Sequence, residues 1–272
     1  MKNQIFKSLA LGIFAALLSF SASAQKTNAA ATDSMRILFI GNSYTYFNEL
    51  PQMVKKIAAT QNIAVAIGQV TPGGYYLRQH IKNPKVFEEV KKGNWNYVVL
   101  QEQSQAPSYS SWEVQSQTFA PARSLDSLIH RYNPSAKVIF YMTWGHRDGD
   151  EDSLQVKKYP LSGSYLGMQM RLMTSYLEMA YQSDAWCAPV GIAWMKAREQ
   201  RPKFNLYMPD GSHPTVGGSY LAANVIFTTI FQHRYQTSFT AGLADDDAQY
   251  FRQLAEETVL TNLRLINIEK VK

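Results

Sequence analysis

Short apolar runs alternate along this chain with longer stretches of helical spacing. Residues 36–40 read as a buried strand. Over 50–60 the apolar positions Leu50, Met53, Val54, Ile57 and Ala58 recur at the three- and four-residue spacing of one helical face. Residues 63–70, 97–100 and 136–142 repeat the strand pattern, and a short fifth run lies near 186–190. Between them the spacing predicts helices over 84–92, 113–132 and 161–182, with two more, 215–231 and 246–263, closing the chain. Asn133-Pro134 stops the helix before it. Strands alternating with helices predict an α/β domain, a parallel sheet covered on both faces. The charged stretch 145–160 has no clear period and reads as a loop, a rim or a lid.

The first residues stand apart from that pattern. Lys2 and Lys7 precede an apolar stretch, 9–20, too short to span a bilayer comfortably. Ala22-Ser23-Ala24 then offers small residues at a cleavage site. The segment 1–24 reads as a secretory signal peptide, 25–34 as a flexible lead-in, and 35–272 as one domain. The protein is thus expected to be secreted or periplasmic, with no stable membrane insertion. Of the net charge of +6, removal of Lys2 and Lys7 leaves 25 basic against 21 acidic residues, or +4. The charges are scattered and form no basic stripe, which argues against nucleic acid as partner. Cys187 is the only cysteine, so no intramolecular disulfide forms, and its apolar surroundings predict a buried thiol.

In open parallel sheets, ligands sit at the carboxyl ends of the strands. Polar motifs gather there. Gly41-Asn42-Ser43 follows the first strand, Gly73-Gly74 the second, Gln101 to Gln105 the third, and Trp144-Gly145-His146 the fourth. A serine at a strand-to-helix turn suits a helix cap or a nucleophile. As a nucleophile Ser43 needs a base, and His213 is the best candidate. Asp210 lies three residues before it in a Pro-Asp-Gly-Ser-His-Pro turn, where it can accept from Nδ1 and leave Nε2 for the serine. Gly73 or Gly74 can present a backbone N–H to an oxyanion with no side chain in the way, as can the N–H of Ser43. A glutamine amide at the third strand end can donate to the same oxygen. Asn42, Tyr75, Trp144 and His146 stand where they can line a substrate pocket. No histidine pair has the spacing of a zinc site, so neither a metal nor a cofactor is expected.

These residues resemble the SGNH hydrolases, the GDSL-like lipase and esterase superfamily. Gly41-Asn42-Ser43 is similar to the first block, with Asn42 where many members have Asp. Gly73 or Gly74 matches the second-block glycine, and Asp210-Gly211-Ser212-His213 the fifth-block Asp-x-x-His. The third block departs from the usual Gly-x-Asn-Asp. Here Gln101-Glu102-Gln103-Ser104 looks more like the Gln-Gly-Glu-Ser block of sialate O-acetylesterase-like and acetyl xylan esterase-like relatives, and like a secreted bacterial subgroup with Gln-Glu-Gln-Ser. The resemblance implies a three-layer α/β/α flavodoxin-like fold with a five-stranded parallel sheet. It implies a serine esterase with Ser43, His213 and Asp210 as triad. Gln101 becomes the first choice for the side-chain oxyanion donor and Gln103 the second.

The expected activity is ester hydrolysis on an acylated small molecule or polysaccharide, with carbohydrate O-acetyl esters foremost. A lipase, lysophospholipase or thioesterase uses the same triad. A non-catalytic glycan-binding module is the alternative of another class.

Overall fold

The computed structural model describes residues 34–270. The leader expected over 1–24 lies outside the described residues, as does the lead-in apart from its last residue. Five parallel strands form one sheet: β1 Met35–Ile40, β2 Val65–Val70, β3 Tyr97–Leu100, β4 Lys137–Tyr141 and β5 Trp186–Ala188. Their order is β2-β1-β3-β4-β5. Buried Ile37 to Ile40, Val98 to Leu100 and Val138 to Phe140 fill the central strands. Such runs without alternation are what a sheet covered on both faces requires.

Helices Leu50–Thr60, Val216–Phe231 and Asp245–Leu260 pack on one another, and Pro84–Lys91, Ala120–Tyr132 and Tyr165–Gln182 form a second group. Right-handed crossovers put the two groups on opposite faces. The result is the three-layer α/β/α fold expected from sequence. Helix Val216–Phe231 is buried on all sides from Gly217 to Ile230, so it is a central element of its layer.

Several boundaries move. The second strand begins at Val65, because Gln61 to Ala64 serve as the turn out of the preceding helix. The helix expected over 113–132 is broken: Ser111–Val114 leads into a wide π turn, Gln115–Phe119, before Ala120–Tyr132. The segment 145–160 is not all loop. Ser153–Lys158 forms a short helix whose first N–H groups are capped by the Asp152 carboxylate. Helix Val190–Gln200 was not expected from the sequence. His233 lies just beyond the end of helix Val216–Phe231. Among the described residues no helix is long and apolar enough to cross a membrane.

Candidate active site

The strand order reverses direction between β1 and β3, so the crevice for a ligand opens beyond their carboxyl ends. Ser43 begins a four-residue helix, Ser43–Tyr46, just past β1. Asn42 caps that helix: its Oδ1 accepts the Tyr44 N–H at 3.1 Å, and its Nδ2 donates to the Tyr75 carbonyl at 2.9 Å. One buried side chain therefore ties the Ser43 turn to the Gly73-Gly74 loop. The turn is packed from below. A Cβ on Gly41 would stand 2.5 Å from Thr45 Oγ1 and 2.6 Å from Gln101 Oε1, so only glycine fits there. Buried His80 fixes the same point, its Nε2 lying 2.9 Å from the Gly41 carbonyl. Desolvation pulls the His80 pKa down to about 4 against that hydrogen bond, so the ring is neutral at pH 7 and donates from Nε2.

His213 arrives from the other end of the chain. The segment before it folds back on itself, with Tyr207 bridged to Pro214 and the Met208 N–H bonded to the His213 carbonyl at 2.8 Å. Asp210 Oδ1 accepts the backbone N–H groups of Ser212 and His213, each at 3.0 Å, and Oδ2 accepts from His213 Nδ1 at 2.6 Å. Burial tends to raise the Asp210 pKa, but the N–H groups of Ser212 and His213 and the imidazole outweigh it. The carboxyl is held below its ordinary value and stays ionised at neutral pH. With Nδ1–H given to Asp210, His213 Nε2 is the acceptor that faces Ser43 Oγ at 2.8 Å. Phe47 stacks on the imidazole at 4.4 Å, and Tyr44 meets it edge-on at 5.6 Å. Asn48, in the left-handed conformation that asparagine tolerates, donates to the Pro214 carbonyl at 3.0 Å and to Ser219 Oγ at 2.9 Å. The serine segment and the histidine segment are thus locked by three residues after the turn, Tyr44, Phe47 and Asn48. Their role was not read from the sequence, where only their closeness to Ser43 hinted at it.

Within the described residues the N–H groups of Ser43, Gly73 and Gly74 make no hydrogen bond. Gly74 has a φ of +70°, which suits glycine, and open space where a side chain would stand. The two glycine donors are free in a loop that the Asn42 side chain ties to the Ser43 turn through the Tyr75 carbonyl.

The glutamines are not placed as expected. Gln101 is wholly buried beneath the serine turn: its Oε1 accepts the Asn42 N–H and the Thr45 hydroxyl, each at 2.8 Å, and its Nε2 donates to the Glu102 carbonyl. The Asn42 N–H fixes which end of the amide faces the turn. Gln101 therefore supports the turn and does not reach an oxyanion. Gln103 spends its amide locally, with Oε1 accepting from Gln105 and Ala106 and Nε2 donating to Ser104 and Gln105.

Two of the four residues expected to line a pocket are structural. Asn42 is buried and used as described. Trp144 is fully buried in a three-ring stack, 4.5 Å from Tyr44 and 3.8 Å from Trp194 with nearly parallel planes, and its Nε1 donates to the Ser212 carbonyl at 3.0 Å. Tyr75 is half-buried next to the glycine loop, its ring 5.3 Å from His80. His146 is half-buried, and its Nε2 lies 3.1 Å from Ser212 Oγ and 3.4 Å from Ser104 Oγ. Ser212 Oγ in turn lies 2.6 Å from the Tyr44 hydroxyl. Burial lowers the His146 pKa, so this ring too is neutral at pH 7. Ser212 is the joint of this network, and sequence reasoning passed over it.

No protein-family model and no curated protein matches the chain. Solved structures do. It is similar to a DUF4886 family protein from Bacteroides uniformis at 16% identity, with a TM-score of 0.69 over 84% of this chain and 95% of that one. It is similar at 28% identity to a protein described as an SGNH hydrolase from Slackia heliotrinireducens, with a TM-score of 0.58 over 72% of this chain and 99% of that one. An acetyl xylan esterase, AlAXEase, shares the fold at 11% identity, with a TM-score of 0.52 over 72% of this chain and all of the other. Several of these structural neighbours are named as SGNH or GDSL-like hydrolases, and the chain shares their fold.

Proposed function

We propose that the protein is a secreted serine esterase that removes O-acetyl groups from carbohydrates. The observation that carries this reading is the unbroken row from Asp210 Oδ2 through His213 to Ser43 Oγ, 2.6 and 2.8 Å, beside N–H donors left free. His213 takes the Ser43 proton as Oγ attacks the ester carbonyl, and later returns it to the leaving alcohol. Asp210 holds the imidazole in the right tautomer and stabilises the imidazolium. The N–H groups of Ser43 and Gly74, with Gly73 as neighbour, stabilise the tetrahedral oxyanion. Water activated by His213 then releases the acyl group. No step needs a metal or cofactor.

An acetyl ester is favoured over a long acyl chain by the openness of the site. The Asp210 side chain is 49% exposed and that of His213 28%, and the glycine loop lies at the surface. Such a site admits the bulk of a glycan. The similar fold of an acetyl xylan esterase accords with this chemistry. The test is acetate release from a panel of acetylated polysaccharides, with nitrophenyl esters of increasing chain length alongside. Ser43→Ala should lower turnover by at least about three orders of magnitude without loss of fold. A variant that kept a tenth of the wild-type rate would remove Ser43 as nucleophile. A rate that climbs with chain length would make the protein a lipase or thioesterase instead.

A further inference from the structure

A concave site adjoins the Asp210–His213 turn, through Arg147, whose N–H donates to the Gly211 carbonyl. It is a cavity of about 260 Å³ lined by Arg147, Arg198, Lys203, Asn205 and Tyr207, among others, with no acidic side chain in its wall. Arg198 is held flat and ready. Its guanidinium stacks 3.7 Å from the Tyr165 ring and donates to the Tyr207 hydroxyl at 2.9 Å and the Arg147 carbonyl at 3.0 Å. Neither Arg198 nor Lys203 has a carboxylate partner among the described residues, whereas Arg147 is paired with exposed Asp148 through Nε at 2.8 Å. The pocket therefore carries an uncompensated positive charge on a planar, oriented donor, the arrangement that receives an oxyanion group.

The pocket is also joined to the catalytic segment. The carbonyls of Asn205 and Leu206 accept from the hydroxyl and N–H of Thr215, two residues past His213, each at 2.9 Å. The Arg147 N–H donates to the Gly211 carbonyl at 2.7 Å, inside the turn that holds Asp210. A ligand in this pocket shares its wall with the turn that aims His213. The turn that presents His213 Nε2 to Ser43 Oγ at 2.8 Å is the one whose Gly211 carbonyl Arg147 holds, so a polymer with its acylated ring at Ser43 can extend across it to this pocket.

We propose that this pocket is a subsite for an anionic substituent, a carboxylate or a sulfate, on the carbohydrate whose ester is cleaved. The proposal rests on the esterase reading for its context but not for its binding test. It names the substrate class more narrowly: acetylated acidic glycans rather than neutral ones. The net positive charge that remains without the leader, +4, adds a long-range attraction for such polymers.

The test has two arms. In the first, binding of sodium glucuronate, glucose 6-sulfate, glucose and inorganic sulfate to the full protein is measured by calorimetry at low ionic strength. The sugar acid and the sugar sulfate should bind at least about tenfold tighter than glucose, the scale of one charged hydrogen bond. Lys203→Glu should abolish that margin, and added salt should narrow it. Arg198→Gln, checked for an unchanged melting temperature, should do the same. In the second arm, kcat/KM is compared for an acetylated methyl glucuronoside and the matching acetylated methyl glucoside. The ratio should favour the acid and should fall toward one in Lys203→Glu. Equal binding of glucuronate and glucose overturns the pocket. Binding of inorganic sulfate with a hydrolysis ratio of one overturns its role as a substrate subsite. Charge-dependent glucuronate binding with no hydrolysis of any ester upholds the pocket and removes the esterase reading.

Discussion

Gln101 is where the site's geometry makes its sharpest demand. Truncation to alanine strips the acceptor from two groups, the Asn42 N–H and the Thr45 hydroxyl, both buried and each bonded to Oε1 at 2.8 Å. An orphaned buried donor costs about 1–3 kcal/mol, so the pair costs roughly 2–6 kcal/mol. For a domain of this size that is a fall in Tm of roughly 4–24 °C. Activity falls with it, because the freed N–H belongs to the residue before Ser43 and to the cap that ties the Gly73-Gly74 loop in place. The assay is thermal unfolding by circular dichroism, run beside kcat on a small acetyl ester. Gln103→Ala is the comparison. Its bonds are local and half-exposed, so its Tm should move by a few degrees at most and kcat by less than about threefold. A Gln101→Ala protein with the wild-type Tm and a kcat reduced about a hundredfold would refute this reasoning. That pattern belongs to a direct oxyanion donor.

Three further outcomes follow from the same contacts. Asp210→Asn should lower kcat by about four orders of magnitude with little loss of stability, since the amide favours the wrong imidazole tautomer; a pH–rate profile with and without EDTA measures it, and chelation should change neither enzyme. Gly41→Ala should destabilise by about 1–3 kcal/mol in urea unfolding and slow turnover, because the new methyl meets Thr45 Oγ1 and Gln101 Oε1 at 2.5 and 2.6 Å, against buried neighbours that have no room to yield. Glu102 is wholly buried, and desolvation raises its pKa from 4.5 to about 7 against the N–H groups of Gln103 and Leu77 and the charge of Arg78. The folded state then binds the extra proton between those two values, so this group's contribution to stability falls as pH rises from about 4.5 through 7. Glu102→Gln should remove that slope, read as the difference between unfolding free energies at about pH 5 and 8.

The sheet was legible because its strands are buried on both faces and announce themselves as apolar runs; 97–100 coincides with β3 at both ends. Helix Val190–Gln200 was not. Val190, Ile192, Ala193, Trp194 and Ala197 are all buried, yet no clean stripe separates them from polar positions, and Pro189 lets the strand-like run of β5 flow straight into it. The π turn at Gln115–Phe119 leaves no trace in spacing at all. In the site, chain order was enough to propose that Ser43, Asp210 and His213 meet. It did not give the direction of a side chain. Gln101 and Trp144 follow strand ends and so looked like pocket residues, yet both turn inward. What decides this is their partners, Asn42 and Thr45 for one and Tyr44 and Trp194 for the other, and those contacts span 50 to 100 residues of sequence.

The stack of Tyr44, Trp144 and Trp194 has an optical consequence. Its two indoles lie parallel at 3.8 Å, and its outer ring is the tyrosine that touches both the His213 imidazole and Ser212. Rings fixed this closely in an asymmetric interior give strong near-ultraviolet circular dichroism, a signal that survives only while packing is rigid. Trp144 also holds the Ser212 carbonyl, so a shift of the Asp210–His213 turn changes the surroundings of that chromophore directly. The protein thus carries, next to His213, an intrinsic spectroscopic gauge of the turn's position, readable without a label and without turnover.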